Sequence, residues 1–323
     1  MKHPLILASA CAALLSACAA GGGSPDARTA AWWRTTAVLA SDAMEGRDTG
    51  SPGYDRAAAY VAERFASAGL SPAGEDGSYF QQIRFQDIEV LSEGAELSVA
   101  YANGEVRALS FLHEISVTPS WSLPERISGR LVFRGYCAPS DMNEVAGALV
   151  LCFGTRRTGQ PLAPAQLEAA AAAGAQGIIR VDDMGCTIEP PRWPVAYARA
   201  VVVDDGSERP QSPPMFRLSA HAFVEIAAAT GRDGADMLVR GARGQSLAPF
   251  DLQARFEASL PTRQRSYSSA NVLAVLPGTD PALADEPVLL IAHLAGYGYG
   301  TPVDSDTLYN GALDDAGRVA ARV

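Results

Sequence analysis

Cysteine is scarce in this chain of 323 residues: there are five, and no two are spaced as CxxC. That spacing argues against a thiolate zinc site. Clustered cations are missing as well. The 26 Lys and Arg residues are outweighed by 36 Asp and Glu, for a formal charge of −10, and no basic run interrupts the excess. A surface with no cationic patch has little with which to neutralise phosphates, which argues against nucleic acid as a partner. No GxSxG turn and no phosphate-cradling glycine loop occurs, so neither a serine-hydrolase elbow nor a nucleotide site is indicated. The apolar stretch Pro4–Ala17 has 14 residues, short of the roughly 20 that a membrane-spanning helix needs.

What is present points to a folded, exported protein. Hydrophobic residues make up 48% of the chain and charged residues 19%, a globular balance at a length sufficient for two domains with their own cores. The start, MKH, is basic; the apolar stretch follows; LSAC, Leu15 to Cys18, closes it. This pattern resembles a bacterial lipobox, in which Cys18 becomes the acylated first residue after cleavage, and a plain signal peptide cut nearby is the alternative. Ala19 after Cys18 favours the outer membrane of a Gram-negative bacterium, with the protein facing the periplasm and touching the membrane through its lipid anchor only. GGGSPDAR then reads as a flexible tether. Cys137, Cys152 and Cys186 remain in the folded part, enough for one disulfide and one odd thiol in an oxidising compartment.

Three textures follow one another. Trp32 to Ala40 is apolar and helix-compatible. Beyond it, Ser51 can cap a helix with Pro52 in its first turn, Tyr54, Ala57, Ala58, Val61 and Phe65 on one apolar face, and Gly69 as the stop. From about Asp87 to Arg265 short strand-like runs dominate: LSVAYAN, RLVFRGYCA, GALVLCFG, GIIRVDD and AVVVDD. APAQLEAAAAAGAQG is a helix between two of them, giving a βαβ-like unit, and HAFVEIAAATG is another helix. From Ser268 onward, SSANVLAVLPG and PVLLIAHL read as two adjacent strands, and DDAGRVAARV as the start of a helix. Strands this apolar need neighbours and cover on both faces.

Three ordered landmarks, LASDAMEGRDTGSPGYDRAAAYVAERFASAGL, NVLAVLPGTDPALADEPVLLIAHL and YNGALDDA, resemble those of the co-catalytic zinc aminopeptidase family of the bacterial leucyl-aminopeptidase type. The resemblance runs from about Ala30 to the last residue. It implies an α/β fold: a mixed-sheet zinc-peptidase domain interrupted by a mostly β protease-associated domain. The corresponding boundaries are 1–17 for the signal peptide, 18–29 for the tether, 30–86 and 266–323 for parts of the peptidase domain, and 87–265 for the insert. It also implies two zinc ions and hydrolytic release of N-terminal amino acids from peptides.

Two-metal hydrolysis needs nitrogen and oxygen ligands on both ions, a bridging carboxylate, and a carboxylate base. By the resemblance, His293 is the first ligand position, at a strand end, and Asp314, 21 residues later, is the bridging position. The family places an aspartate two residues after the histidine to orient its ring. Ala295 stands there instead, a loss worth roughly 10- to 100-fold in metal affinity or activity. In the family the bridging aspartate is joined to an asparagine by a cis bond, whereas Asp315 follows Asp314 here. Gly317 and Arg318 replace a small Ser-Gly pair. The family's consecutive glutamates, which provide the base and a ligand, and its later aspartate and histidine ligands do not occur within residues 1–323. His293 and Asp314 are therefore expected to be vestigial ligand positions, and residues 1–323 alone inactive. Taken as an isolated residue, His293 would be a core or loop histidine with a satisfied hydrogen bond. The competing function is a membrane-tethered protease-associated domain that binds peptides or another protein, with a decayed peptidase remnant.

Other groupings carry less. HEISV at His113–Glu114 lacks the second histidine of a zincin helix and is β-branched. Asp304, Asp306, Asn310 and Asp314 do not follow EF-hand spacing. MEGRDTG, Met44 to Gly50, is expected to pack the entry to the first long helix. The lipobox makes a direct prediction: Cys18→Ser blocks processing and shifts the protein out of the membrane fraction, and unchanged processing and fractionation would contradict it.

Overall fold

The computed structural model describes residues 26–154, 164–182, 198–209, 211–283 and 286–323. The chain is α/β and divides into two compact units. Among the described residues no helix is long and apolar enough to cross a membrane. Cys18 and Cys186 lie outside the described residues.

The first unit comprises residues up to Ser71 together with Val275–Gly296 and Asn310–Val323. Its first helix, α1 (Ala27–Leu39), begins ahead of the apolar run because Asp26 caps it, accepting from the backbone N–H groups of Arg28 and Thr29. Helix α2 (Pro52–Ser67) has its hydroxyl cap at Ser51, which accepts from the Tyr54 N–H, and proline in its first turn. Tyr54, Ala57, Ala58 and Val61 form its buried face, with Gly69 beyond its end at a φ of +78°. Gly53 has no room for a side chain, since a Cβ there would collide with the carbonyl oxygen of Met44. That close approach seats the loop Asp42–Arg47 on the start of α2.

The second unit comprises Pro72–Ala274 and Tyr297–Tyr309. Its strands in chain order are β1 (Phe80–Val90), β2 (Glu96–Tyr101), β3 (Val106–Ala108), β4 (Ile115–Val117), β5 (Arg126–Phe133), β6 (Ala148–Phe153), β7 (Gly177–Val181), β8 (Arg199–Val203), β9 (Met215–Leu218), β10 (Phe250–Ser259), β11 (Thr262–Val272), β12 (Gly298–Val303) and β13 (Asp306–Tyr309). Its helices are α3 (Pro164–Ala172), α4 (Ala220–Ala229) and α5 (Gly234–Ala242). Eight strands form one sheet in the order β3-β2-β10-β5-β6-β7-β9-β4. β5, β6, β7 and β9 run parallel at its centre, and the flanking pairs are antiparallel.

The centre of this sheet shows why its sequence is continuously apolar. All six residues of β6 are buried. Leu149, Leu151 and Phe153 join a core with Phe223 and Ile226 of α4 and Leu238 of α5. Ala148, Val150 and Cys152 face the other way, into a cluster with Ala170 of α3. A strand covered on both faces has no polar side to show. The β6-α3-β7 connection is the βαβ unit expected from the sequence.

Cys137 and Cys152, 15 positions apart in sequence, are joined in a disulfide with Cα atoms 5.4 Å apart. Both are fully buried.

The two strands expected near the chain end behave differently. Of the run SSANVLAV, Ser268–Val272 lie in β11, which begins earlier, at Thr262, and pairs antiparallel with β1 from Thr262↔Val90 to Val272↔Phe80 rather than with PVLLIAHL. PVLLIAHL itself is not a strand: residues 286–294 carry no ladder. Val288, Leu289, Leu290 and Ile291 are 87, 78, 67 and 72% exposed. Strand character there depends on neighbours that the described residues do not supply, and local apolarity cannot replace them.

Closing a loop of this length by a disulfide contributes about 3 kcal/mol. Replacing Cys137 and Cys152 together by alanine is expected to lower stability by about that amount in urea unfolding, with the wild type falling to the same midpoint in reductant.

Candidate functional site

The candidate residues lie in the first unit, around a buried cation. After α1 the loop Asp42–Arg47 turns through positive φ at Glu45 (48°), Gly46 (64°) and Arg47 (56°). That sequence of turns aims the Arg47 side chain into the unit, where it is fully buried. Its guanidinium donates Nε to Leu294 O at 3.0 Å, Nη1 to Asn310 O at 2.8 Å and Nη2 to Gly311 O at 2.9 Å. Nη1 also donates to Leu39 O, the last residue of α1. The backbone of the same residue closes the arrangement: Arg47 O accepts from the Gly296 N–H at 2.8 Å, and Asp48 and Gly296 form a parallel bridge. One planar fork thus joins the end of α1, the residue after His293, and the two residues leading into the Asp314 loop.

Gly311 is required at this junction. It sits at φ +65°, and a Cβ there would come within 2.8 Å of the Arg47 guanidinium.

The two sequence-predicted ligand positions are brought into the same unit. The His293 N–H donates to Asp315 Oδ2 at 3.3 Å, while the histidine side chain itself is exposed. Asp315 is 3% exposed, and its Oδ1 lies 3.5 Å from Arg318 Nε without a hydrogen bond. The Asp314–Asp315 peptide bond is cis. Asp314 is exposed. Burial holds the Arg47 guanidinium below its ordinary value, and the Asp314 and Asp315 carboxylates oppose that shift. Asn310 adds a bond from Nδ2 to Asp42 Oδ1 at 2.9 Å, and Trp32 donates its indole N–H to Gly317 O at 2.7 Å.

This geometry is a polar framework and falls short of a metal centre. Among the described residues no group of three or more His, Cys, Asp or Glu side chains is placed to hold a metal ion. His293 and Asp314 offer two donors where a tetrahedral zinc wants about four, so the residues described do not by themselves fit a two-zinc site.

The other sequence candidates have structural work of their own, in the second unit. Glu114 accepts from Arg107 Nη2 at 2.5 Å and from the Ser110 N–H at 2.8 Å, and it precedes β4 rather than lying on a helix. Asp306 accepts from the Leu308 N–H at 2.9 Å at the turn between β12 and β13. Asp304 and Asp306 therefore belong to a hairpin, in a different unit from Asp314.

Arg47 is the residue that sequence reasoning passed over. It was read as part of a packing segment, and only the lone cation between a glycine and an aspartate hinted at more.

Comparison with known proteins agrees with the fold described. No protein-family model matches the chain, and no curated protein matches it. Among solved structures it is similar to an aminopeptidase from Aneurinibacillus sp. strain AM-1, with a TM-score of 0.51 and 16% identity over 90% of this chain and 56% of that one. The fold is aminopeptidase-like. Two structures of BSAP, a zinc aminopeptidase from Bacillus subtilis, are more distant, at TM-scores of 0.43 and 0.41 and identities of 15% and 14%, each over 92% of this chain and 56% of the other. The chain thus spans little more than half the length of the structures it matches.

Removing the buried fork takes donors from several carbonyl groups and a favourable charge from beside Asp314 and Asp315. Arg47→Met is expected to cost about 3–5 kcal/mol in urea unfolding. Arg47→Lys should recover only part of this, since a point charge cannot reach four carbonyls. A loss under about 1 kcal/mol would mean that the framework closes without its cation.

Proposed function

We propose that residues 1–323 form part of an aminopeptidase-type metallopeptidase, held on the periplasmic side of the outer membrane by an acylated Cys18. The reaction of the complete site is the hydrolytic release of N-terminal amino acids from peptides. The observation that carries this reading is the meeting of the His293 and Asp314–Asp315 segments around Arg47, in a chain whose fold resembles that of an aminopeptidase over 90% of its length. The eight-stranded sheet of the second unit is read as a protease-associated insert that contacts a peptide substrate or a protein ligand. Zinc is the metal this reading implies. His293 and Asp314 take ligand positions in it, and the remaining donors and the carboxylate base come from outside residues 1–323. Ala295 leaves the His293 ring without an orienting carboxylate, so residues 1–323 alone are read as inactive.

Two measurements test this. Residues 1–323, purified and dialysed, are expected to retain less than one zinc per chain and to show no zinc-dependent hydrolysis of aminoacyl nitroanilides. Stoichiometric zinc that is lost on His293→Ala would refute the inactivity. Reading the coding sequence past the Val323 codon tests the family reaction: consecutive glutamates followed by an aspartate and a histidine support it, and an immediate stop favours a non-catalytic binding protein.

A further inference from the structure

Helix α1 buries one side only. Thr35, Thr36 and Leu39 face into the first unit, and Trp32 is tied down by its bond to Gly317 O. Trp33 is turned away, 60% exposed, and Val38 is 37% exposed. Arg34 and Ala37 are exposed beside them. Positions 30, 33, 34, 37 and 38 share a side of a helix by the three- and four-residue spacing, so this face presents an indole, small apolar groups and a guanidinium together. No acidic residue occurs between Ala27 and Leu39.

That combination is poorly suited to water and well suited to the boundary of a bilayer. An indole has a large apolar body and one polar N–H, and arginine lays its stem on apolar surface while its charge reaches phosphates. Both are characteristic of the headgroup layer. The chain length supplies the second, independent argument. Cys18 precedes Asp26, the cap of α1, by eight residues. At about 3.6 Å per residue the cap stays within about 29 Å of Cys18, less than the roughly 40–45 Å thickness of one bilayer with its headgroups.

We propose that the face of α1 bearing Trp33, Arg34 and Val38 lies in the headgroup layer of the membrane that holds Cys18. This contact goes beyond the acyl chains and fixes how the first unit is oriented on the membrane surface. It rests on the lipoprotein reading of Leu15–Cys18.

The test uses the processed full chain reconstituted into vesicles of phosphatidylethanolamine and phosphatidylglycerol with brominated acyl chains. Tryptophan fluorescence is expected to be quenched. Trp33→Ser should reduce that quenching at least threefold, and Trp121→Phe should leave it unchanged. Trp33 is exposed, so its serine variant should keep the wild-type circular dichroism. Mass spectrometry of the processed chain separates the two possible failures. An unacylated Cys18 overturns both the lipoprotein reading and the contact. An acylated chain with equal quenching in wild type and Trp33→Ser overturns the contact alone. Concentration-dependent crosslinking between copies through Trp33→Cys would also overturn it, by giving the face to a second copy of the chain.

Discussion

The first unit depends on one buried guanidinium. Three segments far apart in sequence end in carbonyl groups that point inward: Leu39 at the close of α1, Leu294 after the candidate histidine, and Asn310 with Gly311 before the candidate aspartate. Backbone carbonyls buried without donors are costly, and of these four only Gly311 O has another backbone donor among the described residues, the Ala316 N–H at 3.2 Å. Arg47 answers all of them with one rigid planar group, and the Asp314 and Asp315 carboxylates favour its charge. A lysine, with a single point of charge, could not span the same set. The candidate site is thus organised through carbonyl–arginine bonds on the main chain, and the carboxylates sit beside that framework.

The second unit is held together by different means. Its central strands are covered by helices on both faces, and its stability rests on apolar burial around β6 and β7 with the Cys137–Cys152 link set into the same layer. The two units therefore respond to different changes: the first to the loss of a polar connector, the second to the loss of volume or of the disulfide.

What could be read in the sequence was what is decided locally. α2 was legible because its hydroxyl cap, proline, apolar spacing and terminal glycine all fall within 19 residues, from Ser51 to Gly69, and the βαβ unit because each of its pieces is a continuous apolar or alanine-rich run. The landmarks around His293 and Asp314 were legible as pattern, and the aminopeptidase-like fold agrees with them. Three features were not. The role of Arg47 is set by bonds to residues more than 240 positions away, which no local signal encodes. The partner of Cys137 was open because three cysteines allow three pairings. PVLLIAHL looks like a strand by composition, but a strand is defined by its neighbours, and β11 pairs elsewhere.

That uncovered segment has a further consequence, for how long the chain survives. Peptidases grip their substrates by the main chain, reaching for amide and carbonyl groups that no fold has already claimed. From Val288 to Ile291 no such group is bonded within the described residues, and the side chains stand out in solvent. A stretch in this state is an early point of attack for degradative enzymes, and pairing or burying it would lengthen the life of the chain.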